Sequence, residues 1–225
     1  MHILRIGAAY LALAVASGAW AAEVTIGGVP ITLPVPAGFC ELSADHSSDI
    51  RMQTDVGGSL ERTGSRLLAI SADCRQLADR RAGKRLLLDD YAVFGTTVAG
   101  MNRVVASPKG YIHEACAGLR AQGASSQVPD IKSMLEGALA RVKLNSQELV
   151  GVLAEDDTAC YAAFILKARL PNGADKTMLM LFSSAVVKSK AIDVSRHADY
   201  RDADATLGVL AKLKDTVEAL YAANK

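Results

Sequence analysis

Aromatic residues are scarce in this chain, and neither sign of charge is in excess. The 225 residues include four Phe, six Tyr and a single Trp, and 25 Lys and Arg stand against 24 Asp and Glu. Nucleic-acid sites need a basic surface, and many also need aromatic side chains on which bases stack. The composition therefore argues against a nucleic-acid partner, an anionic membrane surface and an aromatic carbohydrate groove.

Long hydrophobic runs are missing after the first twenty residues. The most apolar later stretch covers residues 178–187 and is interrupted by Ser183 and Ser184. It is much shorter than the roughly 20 residues of a membrane-spanning helix and instead predicts a buried strand. We therefore expect no stable membrane insertion once the N-terminal segment is removed.

The N-terminus carries a secretory signal pattern. Residues 1–5 are a short basic start, residues 6–16 are apolar, and Ala19-Trp20-Ala21 matches a small-x-small cleavage site. We predict a signal peptide over residues 1–21 and a periplasmic or otherwise extracytoplasmic location for residues 22–225. The apolar run is about half of what an anchor needs. No twin-arginine pair marks export in a folded, cofactor-loaded state, so no cofactor is expected.

Four cysteines are present, and none of them forms a C-x-x-C pair. Thioredoxin-like redox chemistry and zinc knuckles therefore lack their spacing. In an oxidising compartment, four cysteines predict two disulfides, and three pairings are open. We favour Cys40–Cys74, since both lie at strand ends, and Cys116–Cys160, which joins a helix to a strand. A thiol-based redox protein is a weaker alternative, and it requires an accessible cysteine of lowered pKa.

The predicted helices and strands come in blocks rather than in alternation. Strands are predicted at residues 24–26, 31–33, 66–72, 91–98, 148–154, 159–169, 176–187 and 190–195, and helices at residues 47–60, 107–122, 129–142 and 202–222. Glycines 57 and 58 are expected to fray the first helix, residues 75–85 to form a charged loop, and residues 171–173 to form a turn. Blocks of this kind favour a single α+β domain over residues 22–225. Its sheet is expected to be mostly antiparallel and flanked by helices, with the C-terminal helix packed on it.

The densest polar cluster consists of Asp193, His197, Asp199, Asp202 and Asp204. A carboxylate beside His197 could orient a general base, or three of these groups could bind a divalent cation. On either reading the cluster is a weak candidate site. Aspartates at a strand-to-helix junction also cap the helix and favour its positive end. No catalytic residue and no metal ligand is therefore assigned from this segment.

Other combinations of polar residues are less specific. His113 and Cys116 are spaced to share a helix face with Glu114 nearby, but no second pair of ligands accompanies them. Residues 45–49 contain Asp, His and Ser, which favour an N-capping turn over a catalytic triad. The glycines of residues 57–64 lack the lysine and the spacing of a phosphate loop.

Three segments together carry a family resemblance. They are Leu-Pro-Val-Pro-Ala-Gly-Phe-Cys at residues 33–40, Ala-Asp-Cys at residues 72–74, and Tyr-Arg-Asp-Ala-Asp at residues 200–204 with a final Asn224. In this order they resemble small exported proteobacterial proteins of unassigned function, which start with LP-x-P-x-GFC and end in a helix closing on Asn. That grouping implies no catalytic residues.

More loosely, the order of segments is similar to the PsbP-like fold. An initial LP-x-P-x-G strand, central hairpins and a closing helix are shared, whereas the four cysteines and the helical block at residues 107–142 are additions. The resemblance implies a binding or assembly role rather than catalysis.

The sequence thus predicts an exported, disulfide-stabilised binding or assembly module. Its partner is expected to be another envelope protein or a small ligand. The alternative is a periplasmic hydrolase or metal-dependent enzyme built around His197 with Asp193, Asp199 or Asp202.

Overall fold

The computed structural model describes residues 21–122, 131–170 and 172–225. Nearly all of the predicted signal peptide therefore lies outside the described residues. The same holds for Gly123, predicted to end a helix, for Pro129, predicted to open the next, and for Pro171 of the predicted turn.

A seven-stranded sheet forms the centre of the fold, in the order β3-β4-β5-β9-β8-β7-β6, with every neighbouring pair antiparallel. Its strands are β3 (Phe39–Glu41), β4 (Ser65–Asp73), β5 (Tyr91–Thr97), β6 (Ser146–Glu155), β7 (Ala159–Arg169), β8 (Asp175–Val187) and β9 (Lys190–Asp199). Residues at the end of the chain thus enter the middle of the sheet, where β9 lies between β5 and β8.

The first two strands, β1 (Ala22–Ile26) and β2 (Val29–Leu33), form a separate antiparallel hairpin. Gly27 and Gly28 make its turn with φ values of 53° and 80°, which side-chain-bearing residues rarely adopt. A Cβ atom on Gly27 would also lie 2.2 Å from the carbonyl oxygen of Met101, so this glycine is needed for close approach.

Within the described ranges, five helices cover the sheet: α1 (Ser47–Arg62), α2 (Cys74–Arg81), α3 (Pro108–Gln122), α4 (Ile131–Arg141) and α5 (Ala203–Ala222). Helices α4 and α5 share one core cluster with the β1–β2 hairpin and define what we call the α5 face of the sheet. Leu213 and Val217 of α5 belong to that cluster together with Ile192 and Val194 of β9. The predicted α+β class and the packing of the C-terminal helix on the sheet are therefore confirmed.

The opposite face carries α1, α2 and α3. Met52 of α1 and Leu77 of α2 pack with Ile70 and Val93 of the sheet, whereas Ile112 of α3 packs at Cys160. In the part of the chain that the structure describes, no helix is both long and apolar enough to cross a membrane.

The predicted loop at residues 75–85 is wrong, because α2 occupies most of it. Asp73 caps this helix by accepting a hydrogen bond from the Gln76 N–H at 2.9 Å, and Leu77 is buried. A short helix with one buried apolar residue has too little apolar periodicity to be recognised among so many charges.

Two predicted element ends are also corrected. Helix α1 does not fray at Gly57 and Gly58 but continues to Arg62, since Leu60 packs into the core beyond them. Strand β9 does not stop at Ser195 but runs to Asp199, because β5 and β8 pair with it on both sides.

Both favoured disulfides are formed. Cys40–Cys74 joins β3 to the start of α2, and Cys116–Cys160 joins α3 to β7. All four cysteines are thus paired. In the chain-entropy description, loops of this size stabilise the fold by roughly 4 kcal/mol each.

Candidate functional site

Asp193 and His197 do not meet in the structure. Both lie on β9 and point to the same face, but four residues of extended strand separate them by about 13 Å. The Asp193 carboxylate instead accepts a hydrogen bond from the Ser184 hydroxyl at 2.9 Å, and Ser184 contacts the Tyr111 hydroxyl at 3.3 Å. Burial raises the pKa of Asp193 to about 6, although the Ser184 hydrogen bond opposes this shift.

His197 is held by its neighbours on the sheet. Its ring stacks on Tyr91 with centroids 4.3 Å apart, and its Nε2 atom lies 3.3 Å from the Ser195 hydroxyl. Its Nδ1 atom is buried without a partner, and burial lowers the pKa of the imidazole to about 4. The ring is therefore neutral near pH 7, and no carboxylate among the described residues orients it.

The remaining aspartates of the cluster have separate structural contacts. Asp199 forms an ion pair with Lys176 at 2.9 Å, and Asp202 caps α5 by accepting a hydrogen bond from the Ala205 N–H at 2.7 Å. Asp204 lies in the first turn of that helix, where its charge faces the positive end. The structure therefore does not assemble the predicted cluster into one site.

The other polar combinations also have structural contacts. His113 is exposed and lies 3.1 Å from Glu155, while Cys116 is in its disulfide. Residues 45–49 open α1 without a side-chain cap at His46; instead Asp49 accepts a hydrogen bond from the Ser43 N–H. Across the described ranges, no three His, Cys, Asp or Glu residues are grouped to hold a metal ion.

A cleft of about 380 Å³ lies on the α5 face, between residues 34–39 and helix α5. We call it the Arg196 cleft. Its wall is the Pro-Val-Pro-Ala-Gly-Phe segment of the resemblance, and the side of α5 lies opposite. The residues that line it are Pro34, Val35, Pro36, Ala37, Gly38, Phe39, Asp73, Asp90, Arg196, Lys212, Asp215, Thr216 and Ala219.

Strand register places Arg196 under this cleft. Glu41, Ser71, Ala92 and Arg196 stand opposite one another on β3, β4, β5 and β9, so their side chains share one face of the sheet. The small Ala92 side chain leaves room for the long arginine to extend across β5. The Arg196 guanidinium reaches Phe39 on the edge strand, 4.4 Å from the ring centroid.

Arg196 is only 5% exposed, and its charge is only partly compensated. Its Nη2 atom donates a hydrogen bond to Asp90 Oδ2 at 3.1 Å. Transfer of a guanidinium from water is costly unless its hydrogen bonds are replaced, and a cation over a phenyl face recovers only a fraction of that cost. The contacts with Asp90 and Phe39 thus hold the Arg196 guanidinium at a position where its desolvation costs free energy.

Buried polar atoms without hydrogen-bond partners are concentrated here. Arg196 Nε makes no hydrogen bond, and Asp90 Oδ1 has only the ion-pair contact with Arg196 Nη2 at 3.1 Å; Ser71 Oγ, on the strand row beneath, and His197 Nδ1 are the other such atoms in the described residues. Each such atom loses its hydration without replacement, at a cost of about 1–3 kcal/mol, so native proteins leave few of them. Two of these four atoms, on Asp90 and Arg196, belong to residues that line the cleft.

The cleft has no excess of positive charge. Two cations, Arg196 and Lys212, face the carboxylates of Asp73, Asp90 and Asp215. On the strand row beneath, burial raises the pKa of Glu41.

This site was not predicted from the sequence, although one signal was available. Ile192, Val194 and Arg196 alternate along β9 on the side that faces the core. A charged residue at the third core position of such a strand is unusual and has to be paired or functional.

No known family model and no curated protein matches the chain. Among solved structures, a likeness is found to the Saccharomyces cerevisiae Ran-binding protein Mog1p. It has 12% sequence identity and a TM-score of 0.35 over 91% of this chain and 92% of that chain. At that level nothing is transferred from Mog1p to this protein.

Proposed function

We propose that this protein is an exported, non-catalytic binding module whose ligand or partner segment enters the Arg196 cleft. One observation carries the proposal: a cleft of about 380 Å³ is lined by the Arg196 guanidinium, which is almost fully buried, and by its ion-pair partner Asp90. A few charged groups placed in a concave and largely apolar surface are typical of a ligand-binding site.

The walls of the cleft are held rigidly, as a preformed binding site requires. The Cys40–Cys74 disulfide fastens the end of residues 34–39 to the sheet. On the other side, Leu213 and Val217 anchor α5 in the main core. Asn224, after α5, then hydrogen-bonds the backbone of Thr32, just before the cleft segment.

Two further features support the remaining elements of the proposal. The separation of Asp193 from His197 gives no acid–base pair for the alternative hydrolase, and this favours binding over catalysis. Two disulfides are typical of proteins outside the cytoplasm, in agreement with the predicted signal peptide.

Thermal unfolding in the presence of the low-molecular-mass fraction of an envelope extract tests the proposal. A ligand that binds the native state raises the Tm by mass action. We expect the extract to raise the Tm of the mature protein and to leave the double variant Arg196→Met, Asp90→Asn unchanged. The matched control is Arg169→Met, Asp175→Asn, which removes an exposed ion pair of the β7–β8 hairpin and should behave like the wild type.

Two outcomes would contradict the proposal. Equal stabilisation of the cleft variant would place binding elsewhere. Chemical conversion of the extracted ligand, seen as a change in its mass, would show an enzyme, and loss of that conversion in His197→Ala would return the site to His197.

A further inference from the structure

Resting on the proposed function, we infer that the Cys40–Cys74 disulfide is a redox switch of the Arg196 cleft. An external dithiol reduces this disulfide in the folded protein and leaves the second disulfide intact. Reduction then releases residues 34–39, which form the wall of the cleft, from the sheet. The inference follows from the unequal burial of the two disulfides and from the short strand that carries Cys40.

The two disulfides differ in their access to solvent. Cys116 and Cys160 are both 0% exposed, with Ile112 of α3 packed against them. Cys40 and Cys74 are only partly buried. A thiolate has to reach a disulfide sulfur to reduce it, so a buried disulfide reacts only after part of the protein has opened. Cys40–Cys74 is therefore the disulfide that a reductant reaches in the folded state.

Cys40 also lies at the margin of the sheet and behind the cleft. Its strand β3 is three residues long and is the end strand of the seven-stranded order. Successive side chains of a strand point to opposite faces. Phe39 and Glu41 lie on the face of Arg196, whereas Cys40 packs with the core cluster of α1 and α2 on the opposite face. A ligand in the cleft therefore leaves the disulfide accessible.

The reduction is a two-electron exchange with a dithiol. One thiolate of the dithiol attacks the Cys40 sulfur and forms a mixed disulfide, while the S–S bond breaks and its electron pair leaves on the Cys74 sulfur. The second thiol of the dithiol then attacks the mixed disulfide and releases Cys40. The dithiol is oxidised to a disulfide, and its two protons pass to Cys40 and Cys74.

The position of Cys74 makes it the better leaving group. It is the first residue of α2, and the positive end of a helix stabilises a thiolate. A thiol of lower pKa leaves faster in thiol–disulfide exchange. The Asp73 carboxylate, which caps the same helix, offsets part of this stabilisation.

The cleft wall ends directly at this disulfide. The Cys74 N–H donates a hydrogen bond to the Gly38 carbonyl at 3.1 Å, and the Phe39 N–H donates to the Pro36 carbonyl at 2.9 Å. Strand β3 pairs with β4 at only three positions, and none of residues 34–41 belongs to the main core cluster. Loss of the crosslink therefore loosens the wall while the main core stays folded.

Mass spectrometry of the native mature protein tests the selectivity. The protein is treated with graded dithiothreitol without denaturant and alkylated, and the alkylated residues are identified in its peptides. We expect alkyl groups on Cys40 and Cys74 before any appear on Cys116 and Cys160, with rates of reduction that differ by at least about tenfold. Equal rates, or earlier reduction of Cys116–Cys160, would overturn the inference.

Hydrogen exchange of the selectively reduced protein tests the release of the wall. The Phe39 and Cys74 amides should exchange at least about tenfold faster than in the oxidised protein, whereas residues 178–187 of β8 should not change. The variant Cys40→Ala, Cys74→Ala lacks the crosslink. Its wall should exchange fast without a reductant, and dithiothreitol should have no further effect. Exchange of the wall that stays slow after reduction of the wild type contradicts the switch, whether or not the variant folds.

The envelope extract separates this inference from the proposed function. It should raise the Tm of the wild type by more than that of Cys40→Ala, Cys74→Ala, because a loosened wall has to be ordered again on binding. An equal rise in both proteins overturns the switch and leaves the binding site. No rise in either protein, together with selective reduction and faster exchange of the wall, overturns the proposed function and leaves the control of the wall by the disulfide in place.

Discussion

Asn224, the penultimate residue, closes the fold by exchanging two hydrogen bonds with the backbone of Thr32. Its side-chain oxygen accepts from the Thr32 N–H at 2.9 Å, and its side-chain amide donates to the Thr32 carbonyl at 2.7 Å. The amide also donates to Leu220 in α5 at 2.8 Å. One side chain thereby joins the end of the last helix to β2, immediately before the cleft wall.

Replacement of Asn224 by Ala should destabilise the protein by about 2 kcal/mol, because the partly buried backbone groups of Thr32 in β2 lose their partners. Asn224 is 6% exposed, so water replaces these bonds poorly. Urea unfolding measures the change, with Asn172→Ala in the β7–β8 hairpin as an exposed control. A difference below about 0.5 kcal/mol from that control would mean that the contact to Thr32 does not hold the termini together.

The two disulfides predict a simple mass result. Mature protein from the periplasm, alkylated in denaturant, should carry no alkyl groups before reduction and four after it. The mass should also correspond to a chain that begins at Ala22 if the predicted cleavage site is used. Two or more reactive thiols before reduction would contradict the pairing and would reopen the redox alternative.

The strands and the disulfide pairs were accessible from the sequence because their signals are local. The apolar runs of β7 and β8, and the position of each cysteine in or next to a predicted helix or strand, need no knowledge of distant contacts. The Arg196 cleft depends instead on the register of four strands, which brings Ser71, Ala92 and Arg196 into one row. No local pattern specifies that register. Helix α2 was missed for a similar reason, because Leu77 packs against residues that are distant in the sequence.

Asp193 should make the protein less stable as the pH rises. Its pKa is about 6 in the folded state and near 3.8 when unfolded, so the folded state holds the proton more tightly between these values. Its contribution to stability is therefore complete below pH 4 and is lost as the pH approaches 6. Asp193→Asn should raise the free energy of unfolding at pH 8 by up to about 3 kcal/mol and have little effect at pH 3. Urea unfolding across this range provides the measurement, and a variant that is less stable at pH 8 would contradict it.

Titration of His197 should change the stability of the protein in the opposite direction over nearly the same pH range. Its folded pKa of about 4 lies below the unfolded value of 6.5, so stability rises as the pH increases from 4 to 6.5. His197→Phe keeps the stack on Tyr91 without a titrating group. We expect its free energy of unfolding to fall between pH 4 and 6, because only Asp193 then acts, whereas that of Asp193→Asn should rise. Slopes of the same sign in the two variants would rule out these opposing contributions.

Arg196 and Asp90 should couple strongly in a double-mutant cycle. The two single variants should also lose unequal amounts of stability. Asp90→Asn leaves the guanidinium, 6% exposed, without its counter-charge, whereas Arg196→Met leaves a carboxylate that is 29% exposed and can hydrate. Breaking a buried pair from one side costs about 3–5 kcal/mol, and removing both charges together recovers much of that loss. We therefore expect Asp90→Asn to be less stable than the double variant in urea unfolding. Arg169 with Asp175, 50% and 58% exposed, is the control pair, and its coupling should stay below about 1 kcal/mol.

A coupling between Arg196 and Asp90 no larger than that of the control would show that the arginine is hydrated rather than buried. The cleft would then hold no desolvated charge pair, and the argument for a ligand there would lose its basis.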